Sequence, residues 1–318
     1  MTKIVSFTRI LNEDDIIEAF VRHHGAHVDE MLFLDNGSTD RTIEILRALR
    51  EEGFTLRLFR NHAVSFDEIA INSWGYQAAS QVLSADWVVF LDADEFIATP
   101  DSQPLLTLLP DDVEVLSMAL VNYGQVGGEN MEEPVVPWRL RWHKSAPTGV
   151  NKVMARAKIP GLLVGAGNHG VFVKGREILA SALPGVSLAH YPRRNGWQAM
   201  QKWAAGRLKA LASGAPGAFY SEHYVSPFET LRDKPGELLM NDGFLAREFD
   251  KSQATEAPLA YLGGPLSYYQ PADPRLKALS GFLHMTEQLA RQHGRLLDES
   301  REARALVESW NARRDFLF

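Results

Sequence analysis

The 318-residue sequence contains no cysteine. That absence excludes disulfides, thiolate metal sites, iron–sulfur clusters and cysteine nucleophiles, and it suits a reducing compartment. Long apolar runs are missing too. The best, Trp87-Val88-Val89-Phe90-Leu91, has strand length, against roughly 18 residues for a membrane span. Basic charge is not in excess: 33 Lys+Arg face 40 Asp+Glu, a formal charge of −7. No global field therefore gathers nucleic acid. No repeat or low-complexity tract is evident. Met1-Thr2-Lys3 leads straight into Ile4-Val5-Ser6-Phe7 and the stretch breaks at Arg9, unlike a signal peptide. These absences predict a soluble cytoplasmic protein with no nucleic-acid partner and no membrane span, leaving peripheral membrane association and oligomeric state open. A hydrophobic share of 45% with 23% charged residues is the usual globular balance, so disordered, collagenous and coiled-coil classes drop out.

What is present is alternation between two periodicities. Residues 3–8 are a short β-branched run, and 12–24 place Ile16, Ile17, Ala19, Phe20 and Val21 at helical spacing. Glu30–Leu34 is a second strand ending at Asp35-Asn36-Gly37. Ser38 is positioned to cap a helix whose stripe is Ile43, Ile45, Leu46 and Leu49, with Asp40 in its first turn. Residues 54–60 alternate as a third strand, 66–84 form a helical pattern and 86–91 a fourth strand. This βαβαβαβ order predicts an α/β fold: a doubly wound, mainly parallel sheet with helices on both faces. Beyond Pro100, strand-like runs (113–121, 135–142, 150–157, 170–174, 186–191) alternate with Gly- and Pro-containing loops. Residues 195–213 are helical, 214–274 looser, and two helical patterns (274–293, 297–313) finish the chain. The domain reading is 1–213, with a 1–100 half and a 101–213 half, followed by a mainly helical extension over 214–318.

Ligands of open α/β sheets bind at the carboxyl ends of the strands. Three strands here end in polar signals: Arg9 with Asn12-Glu13, Asp35-Asn36-Gly37-Ser38-Thr39-Asp40, and Asp92-Ala93-Asp94-Glu95. Alternate side chains of an extended backbone point the same way, so Asp92 and Asp94 can converge. Two close carboxylates repel unless something cationic lies between them, and a hard divalent ion, Mg²⁺ or Mn²⁺, fits that demand. Such an ion keeps positions open for phosphate oxygens and neutralises a leaving diphosphate.

In order and spacing over residues 3–96, these three corners and the form Leu-Asp-Ala-Asp-Glu-Phe resemble glycosyltransferase family 2 and its relatives. The resemblance implies the GT-A fold and transfer of a sugar from a nucleoside-diphosphate sugar to a glycan, lipid-linked or small-molecule acceptor hydroxyl. It further implies inversion, a divalent metal and a place in glycan or polysaccharide biosynthesis. By matching position, Arg9, Asn12 and Glu13 line the donor pocket, Asp35 and Asn36 face the base or ribose, Asp92 lies by ribose and metal, and Asp94 ligates the metal. Where the family often has two consecutive Asp, this chain has Asp35-Asn36, which leaves the nucleotide open. His190 is the candidate to complete the metal site with Asp92 and Asp94. Its rival His169 joins Asp94 as a catalytic candidate. Arg193, Arg194 and Lys202 are placed to meet a diphosphate or to form a solvated basic turn. Glu129, Glu132 and Glu133 are the weak candidates for a general base.

Other motifs carry less. Gly165-Ala166-Gly167-Asn168-His169-Gly170 matches a dinucleotide fingerprint in letters, but a strand follows it where a helix is required. His23-His24-Gly25-Ala26-His27 lacks a carboxylate and suits a helix C-terminus without metal. Strand alternation over 135–142 would put Trp138 and Trp142 on one face, for core packing or acceptor stacking. Two other functions compete: a haloacid-dehalogenase-like phosphatase with Asp92 as nucleophile and Asp94 as acid/base, and a non-catalytic carbohydrate-binding protein on the same fold.

Overall fold

The computed structural model describes residues 2–64, 67–146, 148–214, 222–239 and 248–312. The first third is β1 (Ile4–Ile10), α1 (Ile17–His24), β2 (Glu30–Asp35), α2 (Thr42–Glu51), β3 (Leu56–Arg60), α3 (Glu68–Gln77) and β4 (Trp87–Asp92). The strands pair in parallel in the order β3-β2-β1-β4. Strand alternation divides the apolar residues between the two faces. Ile4 and Ile10 of β1, with Trp87, Val89 and Leu91 of β4, pack with α1 and α2. Val5, Phe7, Val88 and Phe90 join Tyr76 of α3 on the other face. Because β1 leads to β2 on one side while β4 returns on the other, the switch point falls between β1 and β4, where open sheets bind ligands.

Beyond β4 come β5 (Glu95–Ala98), β6 (Val115–Gly124), α4 (Val136–Arg139), β7 (Trp142–Lys144) and β8 (Asn151–Arg156). They are followed by β9 (Leu162–Val164), β10 (Val171–Val173), β11 (Arg176–Ile178), β12 (Ser181–His190) and α5 (Gly196–Ala212). β8 joins β4 antiparallel and β6 joins β8 antiparallel, while β12 lies parallel to β6 and antiparallel to β5. Parallel pairing thus dominates the first half of this α/β sheet and antiparallel pairing the second. The chain continues through α6 (Val225–Asp233), α7 (Pro235–Leu239), β13 (Ala254–Glu256), α8 (Pro274–Glu299) and α9 (Arg301–Ala312). Helix α8 packs along α5. Among the described residues no helix is long and apolar enough to cross a membrane.

Two local expectations are corrected and a third gains its partners. The run 135–142 is not one strand: Pro137 lies in the first turn of the short helix α4, whose Arg139 N–H returns to the Val135 carbonyl at 3.1 Å. Trp138 and Trp142 therefore do not share a strand face. Ser38 does not cap α2. Its hydroxyl accepts from Asn12 N–H at 2.9 Å, and Asp40 takes the Thr42 N–H at 2.9 Å instead. The histidines closing α1 are buried ties to β5. His24 donates Nδ1–H to the Phe20 carbonyl and accepts from Ile97 N–H, while His23 donates to the Ile97 carbonyl at 2.7 Å.

Candidate functional site

The carboxyl ends of β1 and β4 are in register, Arg9 beside Asp92. At this edge opens a cavity of about 600 Å³, walled by α5 and α8 and lined by Arg9, Asn12, Glu13, Asn36, Asp92, Asp94, His169 and His190. Eight of the nine residues assigned from the sequence to donor, metal or catalytic positions thus reach one space. Asp35 does not line it. Its carboxylate is buried beneath, accepting from Ser38 N–H at 2.8 Å and Arg60 Nε–H at 3.0 Å.

The first corner is knitted to the second. Asn12 adopts a left-handed backbone (φ 57°), tolerable for Asn. That turn lets its Oδ1 accept from Thr39 N–H at 2.8 Å. Glu13 accepts from Arg194 Nη2 at 2.6 Å. Burial raises Glu13 to about 7, with Arg194 opposing. Arg194 is wholly buried and also holds Asp15 at 2.8 and 2.9 Å. It is neither a solvated turn nor free to grip a phosphate.

The two motif aspartates diverge in their partners. Asp92 accepts from Arg9 Nη2 at 2.9 Å and Lys152 Nζ at 2.6 Å. Burial alone would raise its pKa, but Lys152 and Arg9 outweigh it and hold the carboxyl well below the usual range. Asp94 accepts from Lys202 Nζ at 2.5 Å, with His190 Nε2 at 3.6 Å and Arg194 Nη1 at 3.7 Å. Against burial, Lys202, His190 and Arg194 pull Asp94 down to about 2. Both carboxylates are therefore ionised at neutral pH. Next to them, burial raises Glu95 to about 8 although Lys152 opposes it.

β12 delivers His190 between Glu95 of β5 and Asn122 of β6. Its Nδ1–H donates to Asn122 Oδ1 at 2.7 Å, and burial lowers its pKa to about 4. The imidazole is thus neutral, with a bare Nε2 turned to Asp94, the arrangement that outer partners impose on metal-ligating histidines. Asp92, Asp94 and His190 nevertheless do not gather as a set. Among the described residues, no three His, Cys, Asp or Glu side chains come close enough to hold an ion. Lys152 and Lys202 compensate the two carboxylates separately. His169 donates Nδ1–H to the Asn151 carbonyl, 2.8 Å away, on the rim of the cavity.

The weak base candidates lie elsewhere. Glu129 and Glu133 border a second cavity with Trp138 and Trp142. Both are spent on nearby backbone: Glu129 accepts from Val126 N–H at 2.6 Å, Glu133 from Val135 N–H at 2.9 Å. Neither they nor Glu132 line the main cavity. The strand after Gly165–Gly170 is β10, as its sequence implies. An Asp92 nucleophile is disfavoured because each of its oxygens already accepts a charged hydrogen bond.

Sequence reading missed Lys152, Glu68 and Lys209. Glu68 accepts from Arg9 Nη1 at 2.6 Å and from Gly167 N–H at 2.9 Å, linking β1 to the glycine-rich turn. Lys152 left one usable signal, a lone charge followed by the apolar Val153-Met154-Ala155. Lys209 donates to the Asn36 carbonyl at 2.8 Å from a position 5% exposed. Burial lowers its pKa to about 8, with Asp35 opposing.

The profile described as glycosyl transferase family 2 matches residues 9–154. Among solved structures, similarity is found to glucosyl-3-phosphoglycerate synthase from Mycobacterium tuberculosis in complex with Mn²⁺, uridine diphosphate and phosphoglyceric acid. Identity is 22% over 37% of this chain and 43% of that one, with a TM-score of 0.26. The chain thus spans less than half the length of that synthase. The mannosyltransferase PcManGT from Pyrobaculum calidifontis, in complex with GDP-Man and Mn²⁺, aligns over 96% of this chain and 82% of that one, at 14% identity and a TM-score of 0.38. No curated protein matches the chain.

Proposed function

We propose that the chain is a glycosyltransferase of the family 2 type with a GT-A fold, moving a sugar from a nucleoside-diphosphate sugar to an acceptor hydroxyl with inversion. The observation that carries this reading is the meeting of three strand corners at one cavity on the sheet's switch point. In this reading residues 1–213 are the catalytic domain and 214–318 an extension whose α8 serves as a cavity wall. The nucleoside lies toward Asn12 and Asn36. The diphosphate lies toward Arg9, Lys152 and Lys202, whose fixed charges favour negative charge developing on the leaving group.

A divalent ion, Mn²⁺ or Mg²⁺, fits two of the three predicted ligands. Asp94 is ionised and the His190 Nε2 facing it carries a lone pair. Asp92 stays with Arg9 and Lys152. When bound, the ion supplies charge neutralisation for the leaving diphosphate. Asn122 fixes the His190 tautomer, Arg194 orients Glu13 and Asp15, and Glu68 holds Arg9 at the cavity edge. His169 on the rim is placed on the acceptor side. Glycan or polysaccharide assembly in the cytoplasm is the matching setting.

Calorimetric titration with UDP and GDP, with and without Mn²⁺, tests the reading. Nucleotide affinity should rise with Mn²⁺ in the wild type and lose that rise in Asp94→Asn. Equal Mn²⁺-dependent affinity in the variant would refute the metal assignment, and no nucleotide binding at all would refute the donor site.

A further inference from the structure

Helix α5 crosses the cavity with two lysines on one face. Lys202 meets Asp94 at the motif corner, and Lys209 meets the Asn36 carbonyl at the end of β2. Both line the same space. Seven residues separate them, two helical turns or roughly 10 Å along the axis. An ammonium group only donates, and it has three N–H bonds. Among the described residues the Asn36 carbonyl is the one hydrogen-bond partner found for the Lys209 ammonium, so further N–H donors face a nearly dry corner. The corner is roofed from α8: Phe282 and Met285 line the cavity, and Gln288, one turn on, lies against Gly37. A flat, largely apolar ring suits that roof, and an acceptor oxygen on its edge would satisfy the lysine.

We infer that Lys209 selects the nucleobase of the donor, favouring a base with an exocyclic carbonyl oxygen, such as uracil or guanine, over adenine, which has none. The inference rests on the donor-site reading above and deepens it. Lys202 would face the diphosphate while Lys209 reads the base, so α5 spans the nucleotide from end to end. An unpaired buried donor is costly, so adenine, whose exocyclic group is an N–H donor, is held less well here than a base that offers a carbonyl oxygen. The preference comes from α5, outside the matched residues 9–154.

The test is calorimetric titration of UDP, GDP and ADP, all with Mn²⁺, against wild type, Lys209→Met and Lys209→Gln. Hydrogen bonds from charged groups predict that UDP or GDP binds about ten- to a hundredfold tighter than ADP in the wild type. Lys209→Met, which keeps the apolar stem, should abolish that preference. Lys209→Gln, which keeps an N–H donor, should retain part of it, and it decides the matter if the methionine variant fails to fold. ADP binding as tightly as both other nucleotides in the wild type would overturn the inference, as would an unchanged preference in the folded variant. Failure of all three nucleotides to bind would remove the donor site itself, a distinct result.

Discussion

Lys152 carries its charge at 3% exposure chiefly because the ionised Asp92 accepts from it at 2.6 Å, with Glu95 2.9 Å away. Burial opposes the charge, and Asp92 and Glu95 raise its pKa nonetheless. Removing one partner from such a cluster leaves an uncompensated buried charge, which costs more than the intact pair contributes. Lys152→Met should therefore destabilise by about 3 kcal/mol, the low end of the range, since Asp92 keeps Arg9 and is partly exposed. Urea unfolding measures this, and a loss under about 1 kcal/mol would mean that Arg9 alone suffices. His190 answers to a different demand. Its neutral ring is held by Asn122 rather than by core packing, so His190→Ala should cut turnover far more than it lowers the melting temperature. A large drop in melting temperature with turnover preserved would assign it a structural role.

At the scale of elements, local signals predicted helices and strands well where one face is apolar, and poorly where spacing was too short to be periodic. α5, α8 and α9 fall within a few residues of their predicted ranges, whereas β5, β9, β11 and β13, of three or four residues, left no pattern. Run 135–142 looked like a strand because Val135, Val136, Leu140 and Trp142 are apolar. Pro137 favours a helical first turn there, and tertiary burial of Val136 completes it. Helix α3 holds a further test. Gly75 lies against Phe7 of β1, and an added Cβ would stand 2.4 Å from that buried ring. Alanine gains about 1 kcal/mol of helix propensity over glycine, but overpacking costs about 1–3 kcal/mol. Gly75→Ala should thus lower the melting temperature; a rise would mean that Phe7 moves freely.

For the whole molecule, acid stability follows from the histidines that tie α1 to β5. Burial lowers His23 to about 4 and His24 well below its usual value, so both are neutral in the folded state. Below about 6.5 the unfolded chain takes up protons there that the folded chain refuses. Stability is therefore lost as pH falls from 6.5 toward 4, by about 1.4 kcal/mol per pH unit for each histidine. Urea midpoints over that window should fall less steeply for His23→Gln by about that slope. Equal slopes would show that His23 is already charged in the fold.

The chain's own order of residues determined the βα alternation, the three polar corners and the Asp92/Asp94 motif. Those are short-range facts, set by periodicity and by which residue ends a strand. Tertiary structure alone decided how the corners are neutralised, because charge compensation depends on distance in space. Lys152 reaches Asp92 across 60 positions of chain and Lys202 reaches Asp94 across 108. It likewise turned Asp35 away from the cavity toward Arg60 and laid α8 beside α5 as a wall, packing that no local pattern encodes.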